Sequence, residues 1–283
     1  MMDALVTTEW LANELGANDL RVVDATYFGS VPGSPDGDPA AAFEKAHIPG
    51  AAFFDIAEIA DLNSPLPTML PPPEKFASRM QSLGLGDGSR IVLYDNSHYH
   101  TSARAWWMLR VFGAHDVAIL DGGFAKWQAE GRPVESGKPQ HRHRHFTVWA
   151  DDGQVRTLDQ MKANVDSGAE QVLDARSGPR FTGEEPDPRP ATHAGHIPGS
   201  KNLPYKQLFN DDGTWKTGDA LKAEFERAGV DLSKPLVTTC GSGITAAVLL
   251  FGAHLLGNDG ALYDGSWSEW GADMSTPKAM GAA

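Results

Sequence analysis

Four segments of this 283-residue chain recur in the same order in its second half, and that duplication narrows the possible folds more than any single motif. Val22-Val23-Asp24-Ala25 returns as Val172-Leu173-Asp174-Ala175, and His47-Ile48-Pro49-Gly50 as His196-Ile197-Pro198-Gly199. Ile91 to Asp95 parallels Leu236 to Cys240, and Leu120-Asp121-Gly122 with Trp127 parallels Tyr263-Asp264-Gly265 with Trp270. The offsets are 150, 149, 145, 143 and 143, falling steadily as a first copy with a few extra loop residues requires. Phe-Gly-Ala-His, at Phe112 and Phe251, lies off this ladder and reads as a chance match. Solenoid repeats run ~20–50 residues, so a period this long means a duplicated domain. Each half then has an ordinary domain length.

Both copies alternate short apolar runs with helical patterns. The runs Arg21–Asp24, Ile91–Tyr94, Ala118–Leu120, Val172–Leu173, Leu236–Thr239 and Ala261–Tyr263 read as buried parallel strands. Helices are expected over Thr8–Leu15, Pro73–Leu83, Ser102–Phe112, Leu158–Ser167, Ala220–Ala228 and Thr245–Leu256, with Thr8 and Thr157 as N-caps. Alternation of this kind predicts an α/β fold: two tandem domains, each a mostly parallel sheet flanked by helices on both faces. The boundaries read as a first domain over 1–135, a linker over 136–155, a second domain over 156–277 and a tail over 278–283. The linker holds His141-Arg142-His143-Arg144-His145, which reads as a solvated interdomain segment rather than a metal site, because no carboxylate or cysteine clusters with it.

Composition removes several function classes. Asp and Glu outnumber Lys and Arg by 37 to 24, a net charge of −13, which disfavours nucleic acid and anionic membrane surfaces as partners. The single cysteine, Cys240, allows no internal disulfide and no thiolate-ligated zinc, and it suits a reducing, cytoplasmic setting. No basic segment followed by an apolar run opens the chain, so no secretory signal is expected. The longest near-apolar stretch, Ala246–Leu256, is too short to span a bilayer. No metal and no organic cofactor is expected.

Chemistry concentrates where the second copy places Cys240, directly after one strand and before one helix. Gly241 and Gly243 let that loop curl tightly. A curled loop entering a helix turns several N–H groups into one small space and favours negative charge there. A thiolate held in such a bowl is stabilised, and Ser242 and Thr245 add hydroxyls. The first copy has Asp95 at the equivalent position, so the scaffold itself does not require a cysteine; one half is armed and the other silent. Phosphate ester hydrolysis through a phosphocysteine needs an arginine closing the loop, but the sixth position after the cysteine is Ala246. Sulfur transfer through a persulfide fits better, since backbone donors alone serve its small, singly charged intermediate.

These features together resemble the rhodanese superfamily, and within it the two-domain 3-mercaptopyruvate sulfurtransferases. The resemblance runs from about Leu5 to Trp270, and the Cys-Gly-Ser-Gly-Ile-Thr loop is its most specific part. It implies catalytic roles for Cys240 and Ser242, with Gly241, Gly243, Ile244 and Thr245 forming the substrate-binding loop. Arg180 and Arg189 match the positions of two arginines that grip the substrate carboxylate, whereas Arg176 reads as structural. A proton relay through His47 and Asp36 or Asp38 is also implied. Occurrence of the His-Ile-Pro-Gly motif in both halves favours the plainer reading that His47 and His196 pin turns. The implied partners are a small-molecule sulfur donor and a thiol acceptor such as thioredoxin or a small dithiol, or cyanide. Thiosulfate-preferring relatives carry basic residues in the loop, where this chain has Gly241 and Ser242, so the donor expected is 3-mercaptopyruvate. Thiosulfate sulfurtransferase and a non-catalytic persulfide carrier remain the alternatives.

Overall fold

In the computed structural model, which describes residues 2–29 and 37–282, each half of the chain forms one five-stranded parallel sheet. The first contains β1 (Leu5–Val6), β2 (Leu20–Asp24), β3 (Ala52–Phe53), β4 (Arg90–Tyr94) and β5 (Val117–Leu120), in the order β1-β5-β4-β2-β3. The second contains β6 (Val155–Arg156), β7 (Gln171–Asp174), β8 (Lys201–Asn202), β9 (Leu236–Thr239) and β10 (Ala261–Tyr263), in the identical order β6-β10-β9-β7-β8. Asp24 pairs with Tyr94, and Asp174 with Thr239. The next residues on β4 and β9, Asp95 and Cys240, therefore emerge at the same height of their sheets. The central strands lie where the apolar runs predict them. The edge strands β1, β3, β6 and β8 are two residues each, too short to leave a pattern.

Helices cover both faces. In chain order they are α1 (Thr8–Glu14), α2 (Pro39–Lys45), α3 (Ile56–Ile59), α4 (Pro73–Ser82), α5 (Ser102–Val111) and α6 (Gly123–Ala129), then α7 (Leu158–Ser167), α8 (Gly178–Thr182), α9 (Gly218–Arg227), α10 (Ile244–Leu255) and α11 (Ser266–Trp270). Thr157 caps α7 in a full capping box with Gln160. The cap of α1 is Thr7, which accepts from the Trp10 N–H, rather than Thr8. The Thr8 hydroxyl instead donates to Glu130 at 2.6 Å, a long-range contact that the local pattern does not encode.

Successive strand residues enter different cores, as a sheet covered on both faces requires. Val22 and Val92 pack outward with Leu11, Phe43 and Trp127; Val172 and Val237 pack outward with Met161 and Trp270. Val23, Leu93, Leu173 and Leu236 all belong to one inner cluster that runs through both domains. Its centre is the pair α5 and α10, apolar nearly all round and buried accordingly.

The linker is docked rather than free: Phe146 is buried in the inner cluster, and Asp87 accepts from the Thr147 backbone and hydroxyl. The segment expected to be a tail is also tied down. Ala279 exchanges backbone hydrogen bonds with His196, just as Glu135 does with His47.

Candidate active site

Cys240 leaves β9 at the carboxyl end of the second sheet, where α/β folds place their ligands. It is 2% exposed, and its N–H donates to the Ser266 hydroxyl at 3.2 Å. The N–H groups of Gly241, Ser242 and Gly243 take no acceptor among the described residues. Those of Ile244 and Thr245 open α10, where the first turn supplies no intrahelical acceptor. Five N–H groups from Gly241 to Thr245 are thus left without a protein acceptor among the described residues, directly after Cys240 and at the positive end of the α10 dipole.

The loop borders a cavity of about 240 Å³ between the domains, lined by Cys240, Gly241, Ser242, Ile244, Thr245, Arg180, Arg189, Tyr205 and Lys206, with Tyr27, Gly29 and Tyr99 from the first domain. A larger cavity of about 360 Å³ lies against the linker at His141, Arg142 and Arg144, away from any nucleophile.

Both predicted arginines reach the cavity because Asp187 holds them there. Its buried carboxylate accepts from Arg180 Nη2 at 2.6 Å and from Arg189 Nη1 at 3.2 Å. Burial pushes the Asp187 carboxyl up, but the Arg189 N–H and the two guanidinium groups outweigh it, so its pKa falls below the usual value. Arg180 keeps a buried Nε with no partner. Arg189 reaches the loop: a Cβ on Gly241 would sit 2.9–3.3 Å from its guanidinium atoms, so any larger residue there would push the guanidinium aside. Arg176 pairs with Asp174 at 2.6 Å and stacks 4.4 Å over Trp267, and it too borders the cavity. The Tyr205 phenol is pushed up by burial, then by Tyr99 and Cys240, so it stays protonated and donates to the His98 carbonyl at 3.1 Å.

Three expectations land elsewhere. Gly243 does not line the cavity; its φ of 78° turns it toward Arg104 and Asp264. His47 is 1% exposed, stacked on Phe43 with Nδ1 2.8 Å from the Phe43 carbonyl. His196 repeats this arrangement with Phe181, so both histidines pin turns and neither lines the cavity. Asp36 lies outside the described residues, and Asp38 caps α2. Sequence reading offers Glu184, Glu185 or Asp187 as ion-pair partners of the two matched arginines, and the structure selects Asp187. It misses Tyr205 and Lys206. Among the described residues, no group of three His, Cys, Asp or Glu side chains is placed to share a metal, and no helix is long and apolar enough to cross a membrane.

A twice-repeated parallel domain, with one cysteine in an N–H-rich loop, defines a rhodanese-type protein. The rhodanese-like domain model matches residues 7–130 and 157–273, and the chain belongs to that family. It is 41% identical over 274 residues to the 3-mercaptopyruvate sulfurtransferase of Mus musculus, covering 94% of this chain and 91% of that one. It is 39% identical to a thiosulfate sulfurtransferase of Cricetulus griseus, again covering 94% and 91%. The crystal structure of SseA from Escherichia coli, described as a 3-mercaptopyruvate sulfotransferase, superposes with a TM-score of 0.85 at 38% identity, covering 95% of this chain and all of that one.

Proposed function

We propose that the protein is a sulfurtransferase that takes sulfur from 3-mercaptopyruvate onto Cys240 and passes it to a thiol. The observation that carries this reading is the convergence of Arg180 and Arg189 on the cavity beside Cys240, with Arg189 in contact with the loop itself. Mercaptopyruvate has a carboxylate next to a ketone, a planar acceptor pattern that two guanidinium groups grip. The clamp places the substrate sulfur over the bowl.

The Cys240 thiolate attacks that sulfur. The S–S bond forms, the carbon–sulfur bond breaks, and its electron pair passes to carbon as pyruvate enolate. The proton of the substrate thiol moves to that carbon, with the Ser242 hydroxyl as its carrier. Pyruvate leaves, and an anionic Cys240 persulfide stays among the loop N–H groups. A thiol acceptor, thioredoxin or a small dithiol, then removes the outer sulfur as its own persulfide and restores the thiolate. Cyanide would leave as thiocyanate. A reducing compartment such as the cytoplasm supplies acceptors of this kind.

Thiosulfate is the second reading. Lys206 lines the cavity from outside the loop, a cation that the loop sequence does not count. Intact-protein mass spectrometry with peptide mapping, after brief exposure to each donor, decides. One sulfur gained on Cys240 from mercaptopyruvate and little from thiosulfate is expected. Equal or better loading from thiosulfate would move the function to the second reading, and loading from neither would remove both.

A further inference from the structure

We propose that the silent first domain builds the outer wall of the anion cradle, with Thr68 and Arg104 as positioning residues for the cysteine loop. The proposal rests on the reading of Cys240 as the nucleophile.

Each carbonyl from Cys240 to Gly243 accepts a hydrogen bond from outside the loop. The Cys240 carbonyl accepts from the Trp267 N–H at 3.0 Å and the Gly241 carbonyl from the Ser268 N–H at 2.9 Å, both within the second domain. The next two belong to the first domain: the Ser242 carbonyl accepts from the Thr68 hydroxyl at 2.8 Å, and the Gly243 carbonyl from Arg104 Nη1 at 3.3 Å. Among the described residues the peptide bonds are trans, so each C=O points opposite to the N–H of the same peptide. Anchoring the Ser242 and Gly243 carbonyls therefore turns the Gly243 and Ile244 N–H groups the other way, into the bowl. A donor on a carbonyl oxygen also polarises its peptide, and the N–H at the other end becomes a stronger donor.

The supporting network crosses between the domains, and one buried donor in it, Arg104 Nε, has no hydrogen-bond partner among the described residues. Arg104 is fully buried, donates to Asp264 Oδ1 at 2.7 Å and to the Thr68 carbonyl, and lies 4.4 Å over Trp107. The second Asp264 oxygen accepts from the Leu70 N–H at 2.8 Å. Thr68 itself has φ 58°, a left-handed backbone that persists only where the surroundings fix it. Two apolar side chains would join the domains as well as a buried ion pair does. What they would lack is a donor for the loop.

Cys240 is the only cysteine, so its alkylation by iodoacetamide reads the thiolate without any sulfur donor. Thr68→Val should slow alkylation at pH 7 about three- to tenfold, the worth of one hydrogen bond, and shift its pH–rate profile to higher pH. Turnover should fall through kcat with KM for the donor unchanged, and Thr68→Ser should restore both. Arg104→Lys should act in the same direction. Circular dichroism melts identify folded variants; if the Arg104 variant unfolds, the two Thr68 variants decide. Wild-type alkylation and kcat in folded Thr68→Val would overturn the proposal. Failure of the wild-type protein itself to alkylate would instead remove the nucleophile reading.

Discussion

The two loops that follow β4 and β9 share a scaffold and differ in where their negative charge comes from. In the first domain Asp95 brings its own: one carboxylate oxygen accepts from the Ser97 N–H at 2.9 Å and the other from the Ser102 N–H at 2.8 Å. The cradle is filled permanently by the side chain that stands where the nucleophile would be. In the second domain the same strand end presents Cys240, and among the described residues the N–H groups of Gly241, Ser242 and Gly243 have no protein acceptor. A built-in anion makes a structural plug, whereas a loop whose donors are left for the nucleophile and what it carries makes a site. A second pair of positions separates in the same way. Asp174 is clamped by Arg176, while its counterpart Asp24 has Thr26 in place of that arginine and accepts from the Thr26 N–H at 2.8 Å. Burial, outweighing the Thr26 and Tyr94 hydrogen bonds, pushes the Asp24 carboxyl up to about 6.

Removing the nucleophile tests the contrast hardest. Cys240→Ser should lower turnover with any donor by roughly 10³-fold or more while leaving the melting curve in place; activity near wild type would end the assignment. Next come the cations that only the second domain gathers. Arg180→Ala or Arg189→Ala should reduce kcat/KM for mercaptopyruvate by about 10- to 100-fold, as expected for losing a hydrogen bond to a charged group. Unchanged steady-state kinetics in both would dissolve the clamp.

Asp24 offers a pH test. Its folded pKa stands above the ordinary carboxylate value, so the folded protein holds that proton more tightly than the unfolded chain does. Stability from this group is therefore present at about pH 4 and lost as pH rises to about 6. Asp24→Asn should remove that loss. Between pH 4 and pH 7 the stability of the variant should rise relative to wild type by on the order of 3 kcal/mol, measured by urea unfolding; a constant difference would reject the shift.

The smallest effect on chemistry belongs to Asp95→Ala. Two buried N–H groups lose their acceptor, a cost of about 1–3 kcal/mol in stability, while kcat stays at the wild-type value. A folded Asp95→Ala protein without activity would mean that the first loop is not silent.

The central strands were legible because each is a run of apolar residues covered on both faces. The loop at Cys240 was legible because its glycines and its nucleophile are adjacent in the chain. The edge strands were not, since two residues carry no period. Arg104 was hidden for another reason. It sits in a largely buried helix, and its partners Thr68, Gly243 and Asp264 lie 36 to 160 positions away. Local pattern has no access to such pairings. The same limit explains Tyr205 and Lys206, which the chain delivers to the cavity from a short 3-10 turn at Tyr205–Leu208 with no motif of its own.

The inner cluster that runs through both domains has a thermodynamic consequence. Domains joined by a flexible tether melt independently, each with its own midpoint. Here α5 and α10 bury their apolar surface against each other, so neither half can open without exposing the core of its neighbour. The chain is expected to melt as one cooperative unit of twice the usual domain size, with a single calorimetric peak whose width corresponds to the full 283 residues.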